Sequence, residues 1–143
     1  MEVQNCNQLN RQLKGVCNDS PPLKSGRKLA CDSRYRNIIR QLDGMFEQLL
    51  HQPDKDLKAD FDRLLDSVME HIGSENCYMG MVNFPQAVQH CLHHQFICTK
   101  MAELHHRFSR RLAVLPEELG YIRLLWMEHI HVHDRVFEDF LAS

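Results

Sequence analysis

Beyond residue 70, side chains able to bind a metal recur in pairs. His71 precedes Glu75 by four residues, His90 precedes His94 by four, and His129 precedes Asp134 by five. Imidazole and carboxylate together suit iron or another borderline divalent ion, and imidazole is the commonest metal ligand among side chains. Residues four apart lie on one helix face, about one turn up, so each of the first two pairs presents both groups in one direction. Five residues turn a helix by roughly 140°, so Asp134 is expected to lean in from one side. Taken singly the pairs are weak signals, because Glu is common on solvated faces and the chain has ten histidines. Three pairs in order on three successive helices are a stronger one. Buried imidazoles and carboxylates are costly unless partnered, and a shared cation would partner them all.

The elements that must position these groups follow from hydrophobic spacing. From Asp32 or Ser33, a plausible N-cap, Ile38, Ile39, Leu42, Met45, Phe46, Leu49 and Leu50 recur at three and four. The stretch HQPDKD breaks this helix. A second is expected from about Leu57 to Met79, with Phe61, Leu64, Leu65, Val68 and Ile72 on its buried side, and Gly80 and Pro85 punctuate its end. A third runs from about Gln86 to Leu112. Pro116 suits the first turn of a fourth, Glu117 and Glu118 suit its positive end, and it continues to about Leu141. No stretch alternates with period two. Four helices of similar length with short connections predict an all-α, up-down-up-down four-helix bundle over residues 31–143. Residues 1–30, with Pro21, Pro22 and Gly26, are expected to form an irregular N-terminal arm with at most a helical turn near Leu9 to Leu13.

The 143 residues suit one domain. A net charge of -2 gives no electrostatic case for nucleic acid or a membrane surface. The N-terminus lacks the apolar core of a signal peptide, and no run is apolar enough for a membrane helix, so a cytoplasmic protein is expected. The six cysteines, with no CxxC pair among them, are then expected to be reduced thiols.

The order HxxxE, HxxxH, HxxxxD resembles the hemerythrin family, and the bacterial hemerythrins in particular. Residues around the pairs extend the likeness: His71, Glu75, Met79, Pro85, His90 and His94 follow the family's H-x3-E-x3-M, Pro, H-x3-H order, and His129, Ile130 and Asp134 its later HI…D. The stretch CDSRYRNIIRQLDGMFEQLL is similar to the family's first helix. The likeness covers about residues 31–141 and leaves the arm without a counterpart. It implies a di-iron centre. One iron would be held by His90, His94 and His129, and the second by His71 and a first-helix histidine. Glu75 and Asp134 would bridge them together with an oxo or hydroxo group. Dioxygen would bind at an open position on the second iron.

The chain departs from this pattern in the first helix, where Tyr35 falls at the ligand histidine's position. A Tyr35 phenolate could ligate the second metal, as tyrosine does in some haem proteins, favouring the ferric state. Alternatively, a protonated Tyr35 could hydrogen-bond near the metals, or the second position could be weak or empty. The ring could also simply pack in the core with its hydroxyl satisfied. The resemblance thus implies a protein that binds or senses dioxygen, another small diatomic molecule, peroxide or redox state. A sensor would signal through a separate protein partner. A peroxide- or nitric-oxide-processing enzyme, an iron store and a purely structural bundle holding zinc or nothing are the competing readings.

Several neighbours of the ligands have ordinary explanations. His93, His131 and His133 are expected to be exposed or to flank the ligands, with His133 the nearest substitute for a ligand, four residues after His129. His105 and His106 suit the negative end of the third helix. Cys31 and Cys98 are expected near the interior as small hydrophobes, and Trp126 is expected to pack over the site.

Overall fold

A computed structural model describes the backbone of residues 24–143 and the side-chain environments from Tyr35 onward. The described residues are all helical, without strands: α1 (Lys24–His51), α2 (Lys58–Met81), α3 (Ala87–Ser109), α4 (Pro116–Glu128), a π-helical turn (His129–Asp134) and α5 (Arg135–Ala142), which prolongs α4. The expected turn near Leu9 to Leu13 and most of the expected arm lie outside the described residues. Helix α1 begins at Lys24, before the anticipated cap at Asp32 or Ser33 and inside the segment expected to be an arm. The two prolines precede Lys24, and Gly26 costs a helix only about 1 kcal/mol relative to alanine.

Each helix carries one buried stripe at alternating spacings of three and four. In α1 it is Tyr35, Ile38, Leu42, Met45 and Leu49; in α2 it starts Phe61, Leu64, Val68; in α3 it ends Ile97, Met101, Leu104, Phe108. In α4 it is Leu119, Ile122 and Trp126. This is the seam that lets helices pack nearly parallel to one another. Helix α1 packs against α2 and α4, and α3 packs against the same two. Their seams merge into one apolar cluster, in which each fully buried Leu, Ile or Phe contributes roughly 1.5–3 kcal/mol.

Helices α2 and α3 end alike. Phe84 N–H donates to Met79 O and Asn83 N–H to Gly80 O, with Asn83 at φ 53°. Leu112 N–H donates to Arg107 O and Arg111 N–H to Phe108 O, with Arg111 at φ 55°. Both are Schellman caps with a left-handed residue. Gly80, read from the sequence as a breaker, therefore stays helical, and Asn83 makes the turn. At the start of α4, Glu118 accepts from Leu115 N–H at 2.8 Å and pairs with Arg107, tying the end of α3 to the start of α4.

The cysteine expectation is corrected in part: Cys77 and Cys91 are disulfide-bonded, so the cysteines give no argument for a reducing compartment. Cys98 is free, half-buried against the apolar cluster, and burial pushes its thiol up to about 11.

Candidate metal centre

Toward one end of the molecule the seams change character. The α2 seam runs from Phe61, Leu64 and Val68 into His71, Glu75 and Met79; that of α3 begins with His90 and His94; that of α4 runs past Trp126 into His129. The ligand-type side chains thus occupy positions that hold Leu or Ile elsewhere, and packing forces them inward. A small apolar cluster of Tyr78, Met79, Phe84 and Phe137 closes the site on the side away from the main core.

Continuing the spacing beyond His129 by four and then three leads to His133 and Val136. Val136 is exposed and His133 only half-buried, whereas Asp134 and Phe137, each one residue later, are buried. The π turn over His129–Asp134 accounts for the slip. It closes i→i+5 hydrogen bonds and takes in one extra residue per turn. Asp134 therefore shares the His129 face, and the sideways lean expected on an α-helix does not occur.

Glu75, His90, His94, His129 and Asp134 are all buried, and one ligand atom from each lies within 4.8 Å of all the others. Glu75 Oε1 is 2.5 Å from His90 Nε2, 3.0 Å from His94 Nε2 and 3.7 Å from His129 Nε2. Asp134 Oδ1 lies 3.1 Å from the Nε2 atoms of both His90 and His129. These approaches lack hydrogen-bond geometry: Glu75 Oε1, His94 Nε2 and both Asp134 oxygens are buried without a hydrogen-bond partner. Buried polar atoms left without hydrogen bonds are costly unless something else partners them, and a shared cation would do so. Three nitrogen and two oxygen donors in a dry pocket suit a transition-metal ion, and the group could hold one.

Tyr35 and His71, also expected as ligands, are buried beside this group and do not belong to its five-atom cluster. The Tyr35 hydroxyl donates to Glu75 Oε2 at 2.8 Å, and its ring stands edge-on to His71 with centroids 4.4 Å apart. His71 Nε2 lies 3.7 Å from the same Oε2. Burial, then the negative charges of Glu75 and Asp134, hold the Tyr35 hydroxyl well above its ordinary range.

The charges of the cluster act strongly on one another. Burial would raise the Glu75 carboxyl, but the imidazoles of His129, His90 and His94 hold it well below the usual range. Burial would lower His90, but Asp134 and then Glu75 carry it up to about 9. His129 is raised against burial by the same two carboxylates. Burial and the neighbouring His129 push His94 well down.

Two contacts to the clustered imidazoles are not evident in the sequence. His94 Nδ1 lies 2.9 Å from Asn76 Oδ1, and His93 Nδ1 lies 2.7 Å from His129 Nδ1. Neither Asn76 nor His93 belongs to a ligand pair, and only the crossing of α2, α3 and the π turn brings them to their imidazoles. Burial, then His129 and His133, push half-buried His93 down to about 4. Trp126 is fully buried, with its ring 5.6 Å from His129 and 6.2 Å from His71, so it packs over the site as expected. His131 is exposed. His105 faces Asp62 at 2.7 Å, far from the cluster along α3.

Comparisons with protein-family models, curated proteins and solved structures give no match to this chain. Among the described residues, no helix is long and apolar enough to cross a membrane.

Proposed function

We propose that the chain is a hemerythrin-like, non-haem iron protein that binds or senses dioxygen or redox state. Its helices form an up-down-up-down bundle, and its two metal positions are unequal. The observation that carries this reading is the buried convergence of Glu75, His90, His94, His129 and Asp134 within 4.8 Å. The site draws on the early part of α1 and α3, the late part of α2 and the end of α4, as alternating chain directions require. Iron bound there would supply one-electron redox chemistry and affinity for small oxidants.

The residues divide the work. His90, His94 and His129 would hold one ion through their Nε2 atoms, together with Glu75 Oε1 and Asp134 Oδ1. A second ion would have to be held by His71 and Glu75 Oε2, beside Tyr35. Of the readings open for Tyr35, a protonated hydroxyl has the support: it already donates to Glu75 Oε2, and burial beside two carboxylates opposes the phenolate. A donor on Oε2 draws that oxygen away from a second cation. The first position is therefore the tight one and the second the weak one. Trp126, Phe84 and Phe137 keep bulk water out.

Anaerobic titration with ferrous ion, read by elemental analysis, tests the proposal. One equivalent per chain should remain through desalting and a second should wash out, and air should change the visible spectrum of the loaded protein. A well-folded protein that retains no transition metal would overturn it.

A further inference from the structure

We infer that His93 is a positioning residue that selects the metal-binding tautomer of His129; this rests on the metal reading of the site. His129 has two ring nitrogens with opposite surroundings. Nε2 faces Asp134 Oδ1 at 3.1 Å and His90 Nε2 at 3.1 Å, inside the cluster. Nδ1 faces outward to His93 Nδ1 at 2.7 Å. The two rings are nearly coplanar, with an interplanar angle of 2°, so the ring nitrogens meet in plane, where an N–H and a lone pair align.

One proton sits between these nitrogens, and its owner decides what His129 can do. If His129 Nδ1–H donates to His93, the lone pair of His129 lies on Nε2 and points into the cluster. If His93 Nδ1–H donates instead, neutral His129 carries its proton on Nε2, where it blocks a metal. Ligating histidines generally depend on such an outer partner to fix the tautomer and ring plane. His94 has a less ambiguous one, because the Asn76 carbonyl oxygen only accepts. His129 depends on a partner that can do either, and the structure fixes how that partner is held. The His93 ring stacks on His133, with centroids 4.1 Å apart and planes 22° apart, and has the Phe96 ring at 6.3 Å and 28°. The stack on His133 restrains the plane of His93 with Nδ1 toward His129. The role explains the position of His133 too: as the residue displaced by the π turn, it lies over His93.

Cobalt(II) binding to the full chain, followed by its visible absorption, tests this in the native protein, His93→Leu and His93→Gln. Leucine removes the acceptor, while the glutamine side-chain oxygen can still accept from an N–H. Cobalt affinity should fall roughly 10–100-fold in His93→Leu, and His93→Gln should recover most of that loss. In the metal-free proteins, the nitrogen chemical shifts of the His129 ring should report a proton on Nδ1 in the native protein and His93→Gln, and a different distribution in His93→Leu. Equal cobalt affinity in native protein and His93→Leu, or a glutamine variant no better than leucine, would overturn the tautomer role while leaving the metal site standing. A native protein that binds no cobalt would overturn the metal reading and this inference together.

Discussion

The two oxygens of Glu75 look onto different worlds. Oε1 faces three imidazoles, the nearest at 2.5 Å, and has no hydrogen-bond partner. Oε2 accepts from the Tyr35 hydroxyl at 2.8 Å and has His71 at 3.7 Å. On the first side, helices α3 and α4 bring nitrogen ligands at seam positions. On the second, α1 brings an oxygen donor whose proton burial holds in place. A single tyrosine on α1 thus makes a pocket of similar residues unequal: Oε1 faces imidazoles that could share a cation with it, while Oε2 already accepts an O–H. A carboxylate can bridge two cations only where both of its oxygens are left unsatisfied.

The largest break in this comparison comes from the residue common to both halves. Glu75→Gln removes the charge that faces His90, His94 and His129 and leaves the fold's apolar seams intact. Iron or cobalt binding should weaken by more than the roughly 10–100-fold typical of losing an outer partner. Isothermal titration checks it, and near-native affinity in the variant would mean that Glu75 is not a ligand.

Protons compete with the metal mainly on the first side, and the sign follows from His90. Its pKa of about 9 in the folded, metal-free protein lies above the ordinary 6.5. The stabilisation this represents is full below about pH 6.5 and is lost as pH rises through about 9. At about 1.4 kcal/mol per unit it amounts to roughly 3 kcal/mol. The metal-free protein should therefore lose stability between pH 7 and 9. Metal affinity should move the other way, rising about tenfold per pH unit over the same window for the proton His90 must release. Urea unfolding and metal titration at three pH values measure both. Parallel trends would show that His90 is not held protonated by Asp134 and Glu75.

Tyr35 sharpens the comparison from the other side. Tyr35→Phe should cost the metal-free protein about 1.5 kcal/mol, the scale of a hydrogen bond to a charged acceptor. Tyr35→His should strengthen the second ion about tenfold or more by adding a nitrogen ligand and freeing Oε2. If Tyr35→His leaves the second equivalent as weak as before, the asymmetry originates elsewhere, with His71 the next place to look.

Much of this was legible in the chain itself. The seams of α1, α2 and α3 follow from spacing, and the buried His71, Glu75, His90, His94 and His129 sit where the same spacing continues. Helix identity is local, so local pattern suffices for it. Three features resisted reading for three physical reasons. The start of α1 at Lys24 was obscured because Gly26 reads as a breaker yet costs a helix little. The contacts Asn76–His94 and His93–His129 depend on the crossing of separate helices, which no local pattern encodes. The disulfide-bonded state of Cys77 and Cys91 is hidden because a disulfide needs two thiols brought together in space, which sequence spacing does not show.

The π turn was legible in principle, and it carries the smallest prediction. The series Leu119, Ile122, Trp126, His129 keeps strict time, and Asp134 and Phe137 then arrive one residue late. The extra residue lies among Ile130, His131, Val132 and His133, and Val132 is exposed. Deleting Val132 would place Asp134 four residues and Phe137 seven residues after His129, in step with an unbroken α-helix. Folding should therefore survive, with metal-free stability changed by less than about 1 kcal/mol: the lost π turn is replaced by α-helical hydrogen bonds, and both buried side chains stay on the seam. The metal site should respond more than the fold, because Asp134 would reach the cluster from a tighter turn and no longer at the native 3.1 Å from His129 Nε2. A deletion variant that unfolds, or that exposes Phe137, would show that the wide turn is required by the packing of α5. A variant that folds but binds metal less well would show that the turn serves the ligand, separating what the bundle needs from what the site needs.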